Sequence, residues 1–204
     1  FRFLSTDGKH KVFARECTPD GEVRAVLQIA HGVAEHIYRY APFMEFLANH
    51  GFVVVANDHL GHGKTAENEQ ELCFFAEKDG WNDVVSDMDT LHKLTAAKYP
   101  GVPYFLFGHS MGSFLTRTYI IDHPEGLKGV IISGTGQNPA AVVAAGKLMA
   151  KLEMIDNGPM YHSPTLDKLA FGSYNKKYDH VRTKLDWLTR DEAVVDAYIA
   201  DPLC

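Results

Sequence analysis

Cysteine is scarce: Cys17, Cys73 and Cys204 are the only three among 204 residues. An odd, scattered set with no CxxC pair excludes a disulfide framework and fits a reducing compartment, so a cytoplasmic location is expected. Positive charge is in the minority as well, 20 Lys and Arg against 26 Asp and Glu for a net charge of −6. Without a concentrated basic face to neutralise phosphates, nucleic-acid binding is excluded. No run approaches the roughly 18 apolar residues that span a bilayer. The longest apolar-rich stretch, 139–155, is interrupted by Lys147, Lys151 and Glu153. Residues 1–16 carry charge throughout and lack the apolar segment of a secretory signal. The chain starts at Phe1 rather than Met, which leaves room for residues ahead of it. What is present, 46% hydrophobic and 23% charged residues, suffices for one sizeable core.

Alternating residues 1–5 and 9–16 flank Thr6-Asp7-Gly8, whose Asp-Gly pair favours the positive φ of a hairpin turn, so an antiparallel pair is expected. Short apolar runs follow at 25–30, 52–56, 102–107 and 129–132. Between them, helical spacing appears from Pro42 to Leu47, from Asn82 to Tyr99 and from Met111 to Ile121. Strands alternating with helices imply parallel strands, right-handed crossovers and helices on both faces: a doubly wound, mostly parallel α/β sheet. After Ser133 the strand rhythm stops. An Ala- and Met-rich stretch, an irregular Gly/Pro/Ser segment and a charged tract over 175–196 read as a helical insertion. The expected division is a core over 1–134 and a helical cap over 135–204.

Gly108-His109-Ser110-Met111-Gly112 lies between the run 102–107 and the helix 111–121, the context of a nucleophile elbow. Serine is a weak nucleophile, so it needs a general base, an anion to orient that base, and donors for the oxyanion. The N–H of Met111 is one donor, at a helix N-terminus. The loop after strand 25–30, opened by Gly32, supplies the second through the N–H of Val33.

His31-Gly-Val-Ala-Glu-His36, Asp58-His-Leu-Gly-His-Gly63 and Gly108-His-Ser-Met-Gly112, in this order, resemble the signatures of the monoacylglycerol lipase and lysophospholipase family. The resemblance implies the α/β-hydrolase fold, Ser110 as nucleophile, and Val33 and Met111 as oxyanion-hole amides. Glu35, His36, Asp58, His62, Arg39 and Tyr40 become structural supports, and no cofactor is implied. The family order places an Asp and then a His after further strands beyond the cap. Asp156, Asp167 and His180 occur downstream, but none follows a strand-like run, so the C-terminal strands and the triad's Asp and His are expected beyond Cys204.

Other motifs fall short. His31, Glu35 and His36 have one residue too many for H-x-x-E-H, so no metal is expected, and Gly61-His62-Gly63-Lys64-Thr65 would need the first glycine of a P-loop at Asp58. His109, whose side chain should point away from that of Ser110, reads as an elbow support. The stretch 139–155 is either an ordinary cap helix or a surface that lines an acyl pocket or rests on a membrane. The charges of 175–196 read as a solvated helix face. The expected activity is hydrolysis of lipid-like carboxylic esters, with a small-ester carboxylesterase, a proline-iminopeptidase-like peptidase and a non-catalytic ligand-binding protein as alternatives.

Overall fold

A computed structural model describes residues 1–204. It divides into two compact units, the first over 1–136 and the second over 137–202.

The first unit is built on a six-stranded sheet. Its strands are β1 (Arg2–Leu4), β2 (Lys11–Cys17), β3 (Ala25–Ala30), β4 (Phe52–Asn57), β5 (Tyr104–His109) and β6 (Leu127–Ser133), in spatial order β1-β2-β4-β3-β5-β6. β4, β3, β5 and β6 run parallel, while β2 pairs antiparallel with both β1 and β4. Helices α1 (Ala41–Ala48), α2 (Gly80–Lys98) and α3 (Met111–Asp122) make the crossovers. All six residues of β3 are buried, as a strand covered on both faces requires. Leu27 and Ile29 pack with Met44 of α1 on one face, whereas Ala30 packs with Met88 of α2 and Leu115 of α3 on the other. The even-numbered Gln28 is polar, yet its amide donates to Met88 O at 2.9 Å and its carbonyl accepts from Tyr104 Oη at 2.6 Å. Both halves of the side chain are therefore satisfied.

The N-terminal connection is longer than its Asp-Gly pair suggests. Leu4 pairs with Lys11, so residues 5–10 form the loop, with Gly8 at φ 73°. Side-chain bonds hold it: the Asp7 carboxylate accepts from the N–H groups of Lys9 and His10, and Asp87 of α2 accepts from Ser5 Oγ and the Thr6 N–H.

The second unit contains no strand. Its helices are α4 (Ala140–Asn157), α5 (Pro164–Phe171) and α6 (Glu192–Ala200). No helix of the protein is long and apolar enough to cross a membrane. The charged tract 175–196 departs from the expected helix face. Short 3-10 turns at Tyr174–Lys177 and Asp186–Leu188 interrupt it before α6 begins. The cause is local: Asp186 accepts from the N–H groups of Arg182 and Thr183 and from Thr183 Oγ1, a side-chain alternative to helix bonding. Asp191 then caps α6 through the N–H groups of Ala193 and Val194.

Gly146, inside α4, has nothing within 4 Å of where a Cβ would stand. Gly146→Ala should therefore stabilise the chain by about 0.5–1 kcal/mol through helix propensity alone. A higher urea midpoint with unchanged slope is the expected readout; a lower midpoint would contradict the open surroundings of that position.

Candidate active site

Three loops meet at the C-terminal ends of β3, β4 and β5. The first is the turn from β5 into α3, where Ser110 holds φ 51° and ψ −119°, a conformation non-glycine residues avoid. The surroundings impose it. The Ser110 N–H donates to Ser133 O at the end of β6 (3.0 Å), and the Ser110 carbonyl accepts from the N–H of Ser113 at 2.9 Å and from its Oγ. A Cβ on Gly108 would lie 2.4 Å from Gly112 O, and one on Gly112 would lie 2.0 Å from Ala30 O. The two glycines let α3 press against the ends of β3 and β5, with Ser110 at the apex. Met111 is the first residue of α3, and its N–H belongs to that helix's unpaired N-terminal set.

The second loop, 31–36, brings Gly32 so close that a Cβ there would stand 3.1 Å from Ser110 Cβ. Glu35 shapes this loop: its Oε1 accepts from the Gly32 N–H and from Tyr40 Oη at 2.8 Å, while Arg39 Nε lies 3.4 Å from Oε2. Val33 follows Gly32 and precedes Ala34, which holds φ 52°. Glu35, Arg39, Tyr40, Phe107 and His109 line a cavity of about 260 Å³.

The third loop, 58–65, is tied to the second by Asp58. Its Oδ1 accepts from the Ile37 N–H and its Oδ2 from the Lys64 N–H, both at 2.8 Å, and its carbonyl accepts from Thr65 Oγ1 at 2.7 Å. Burial raises the Asp58 pKa while those backbone donors lower it. Beside it His31, His59 and His62 form a buried aromatic layer, with His31 ring centroids 4.1 Å and 5.3 Å from the other two. Burial and mutual repulsion hold His31 well below its ordinary pKa, burial with His62 as neighbour brings His59 down to about 3, and burial lowers His62.

Ser110, Val33 and Met111 thus fall in one region, together with the supports Glu35, Asp58, His62, Arg39 and Tyr40. His109 faces Ser133, its Nδ1 3.2 Å from Ser133 Oγ. Asp156 lies in α4, Asp167 in α5 and His180 in the segment between the 3-10 turns, all in the strand-free second unit. Sequence reasoning passed over Ser113 and Ser133, which hold the Ser110 backbone from both sides. Ser133 had a legible signal, since it ends an apolar run that must lie beside β5. Ser113 had none beyond its place in the first turn of α3.

A strand-turn-helix elbow on a mostly parallel sheet of this strand order defines an α/β-hydrolase. A carboxyl esterase from Bacillus coagulans superposes with a TM-score of 0.88 at 32% identity, covering all of this chain and 65% of that one. A lipase in its open form gives 0.82 at 29% identity over 99% of this chain and 65% of that one. The family described as "Serine aminopeptidase, S33" matches residues 21–204, and the chain belongs to it. Curated relatives include the monoglyceride lipase of Mus musculus, 28% identical over 98% of this chain, and the monoacylglycerol lipase of Mycolicibacterium smegmatis, 30% identical over 91%. The chain spans 58% of the length of each.

The histidine layer sets a pH dependence. The folded chain keeps these imidazoles neutral, whereas the unfolded chain protonates them below about pH 6.5. Their contribution is complete above that value and is lost progressively as pH falls toward about 3, the folded value of His59. Asp87, raised to about 6 by burial, acts in the opposite sense between its ordinary and folded values. Asp58 and Asp83, which burial also raises, act with Asp87, whereas His92, which burial lowers, acts with the layer; four lowered imidazoles against three raised carboxylates leave a net loss on acidification. Urea denaturation should show lower stability at pH 4.5 than at pH 7.5, with proton uptake on unfolding; equal stability would contradict the neutral layer.

Proposed function

We propose that the chain carries the nucleophile, oxyanion hole and cap of a serine hydrolase acting on lipid-like carboxylic esters, monoacylglycerols or lysophospholipids in kind. Ser110 attacks the ester carbonyl and forms an acyl-enzyme. The N–H groups of Val33 and Met111 bind the oxyanion, and an imidazole oriented by a carboxylate takes the serine proton and returns it to the leaving alcohol. Water then repeats the sequence on the acyl group. The observation that carries this reading is the strained Ser110 backbone at the β5–α3 apex with Gly32 against its side chain. The cavity beside His109, with Glu35, Arg39 and Tyr40 among its lining, offers hydrogen-bonding groups to the hydroxyl-bearing part of such an ester.

Lipid-like substrates are favoured over peptides by the second unit. Leu148, Leu152 and Ile155 recur at helical spacing on α4 and are 60%, 55% and 79% exposed. An exposed apolar stripe of this kind suits an acyl chain or peripheral contact with a membrane surface. The relatives named as lipases support the same choice, while the aminopeptidase description of the family keeps a peptidase as the second reading. We infer a cytoplasmic location from the scarcity and scatter of its cysteines.

In the complete gene product, Ser110→Ala should abolish turnover of a long-chain monoacylglycerol and leave the melting temperature within about 2 °C, as a small substitution away from the core permits. Retained ester turnover, or faster cleavage of prolyl peptides than of esters by the unaltered protein, would overturn the reading. Replacing Leu148, Leu152 and Ile155 together by Ser should lower activity on vesicle-borne monoacylglycerol by roughly tenfold, on the scale of lost apolar contact area. Turnover of p-nitrophenyl acetate should be unchanged. Equal losses on both substrates would contradict a role for α4 in handling lipid.

A further inference from the structure

His31 opens the loop that approaches Ser110, yet it is fully buried and points away from that serine's surroundings into the histidine layer. Its two ring nitrogens have different partners. Nε2 receives the backbone N–H of His59 at 3.0 Å, so Nε2 carries the lone pair and the ring proton sits on Nδ1. Nδ1 lies 2.7 Å from Gly32 O and donates to it. A doubly protonated ring would set an N–H against the His59 N–H. Burial and the neighbouring His59 and His62 keep the ring neutral.

The carbonyl that His31 holds and the N–H of Val33 are two ends of one peptide group. That group is planar and trans, so its C=O and N–H point in opposite directions. Drawing Gly32 O toward the histidine layer therefore turns the Val33 N–H away from it. The peptide on the other side of Gly32 is held separately, through its N–H on Glu35 Oε1. Gly32 has no Cβ to restrict rotation of the Gly32–Val33 peptide; one there would stand 2.7 Å from Glu35 Oε1 and 3.1 Å from Ser110 Cβ. A hydrogen bond must do what a side chain cannot. Donation to the carbonyl also polarises the peptide and strengthens the N–H at its far end.

We infer that His31 is a positioning residue for the oxyanion hole: through Nδ1–H on Gly32 O it aims the Val33 amide, and through Nε2 it is registered against the loop that follows β4. The inference rests on the serine-hydrolase reading and extends it to a residue that never touches substrate. His59 contributes its backbone N–H to this arrangement and its ring to the layer around His31.

The test uses the complete gene product and separates the two readings. Phosphonylation of Ser110 by a fluorophosphonate, read by peptide mass in the unaltered protein, checks the serine reading by itself. His31→Gln keeps an amide near the Nε2 position and loses the donor to Gly32 O, whereas His31→Asn keeps an N–H near the Nδ1 position. His31→Gln should lower kcat by roughly 10²–10³-fold with little change in KM, the loss expected for one oxyanion-hole donor. His31→Asn should recover at least about tenfold of that loss, as a restored donor to the same carbonyl predicts. A labelled Ser110 with unchanged kcat in His31→Gln, or equal kcat in both variants, overturns the inference and leaves the serine reading standing. An unlabelled Ser110 in an active enzyme overturns the serine reading itself. Nitrogen-15 imidazole spectra of the unaltered protein give a check that no folding defect can obscure. A proton on Nδ1 of His31 with a bare Nε2 is the expected result, and the opposite tautomer overturns the inference.

Discussion

The close passage of α3 across the ends of β3 and β5 is the constraint on which the site depends. With a Cβ at Gly112 only 2.0 Å from Ala30 O, no other residue leaves the helix where it is. Because α3 sits there, the chain must turn between His109 and Met111, and Ser110 takes the strained conformation at the apex. A non-glycine residue at positive φ costs on the order of 1–3 kcal/mol, which the packing of Leu115, Thr116 and Tyr119 beneath the elbow offsets. The same approach that strains the serine brings the loop after β3 against it, so the Ser110 turn and the Gly32 loop share one cause.

The neighbouring loops are held by polar groups that are buried and paired. Asp58 gathers backbone N–H groups from two loops, and Glu35 fixes Gly32 with help from Tyr40. Buried carboxylates of this kind carry a desolvation cost and hold geometry only while their donors remain in place. The histidine layer, its pKa values lowered by burial, thus sits beside carboxylates that each hold two loop donors, an arrangement that stiffens the loops around Ser110.

Much of this was legible in the sequence. The run 25–30 coincides with β3, and the helices after Pro42 and Met111 begin where their proline and glycine signals place them. Apolar runs buried on both faces have few alternatives. The elbow could be read because its glycines are demanded by sterics and its flanking elements by periodicity. What escaped detection was held by side chains acting on backbone. The loop 5–10 is fixed by Asp7 and Asp87, and the tract 175–196 is broken by Asp186, whose carboxylate competes with helix formation. The second unit was legible as helical but not in its details, since none of the residues of α4 or α5 is buried and no packed face sharpened their pattern.

The central claim is that Ser110 is a nucleophile whose oxyanion is received by the amides of Val33 and Met111. A crystal structure of the complete gene product after reaction with an alkyl fluorophosphonate addresses it directly. The account predicts phosphorus bonded to Ser110 Oγ with its phosphoryl oxygen about 2.7–3.1 Å from both nitrogens, the range for oxyanion-hole donors. An adduct on another residue, or a phosphoryl oxygen turned away from the Gly32–Val33 peptide, would contradict it.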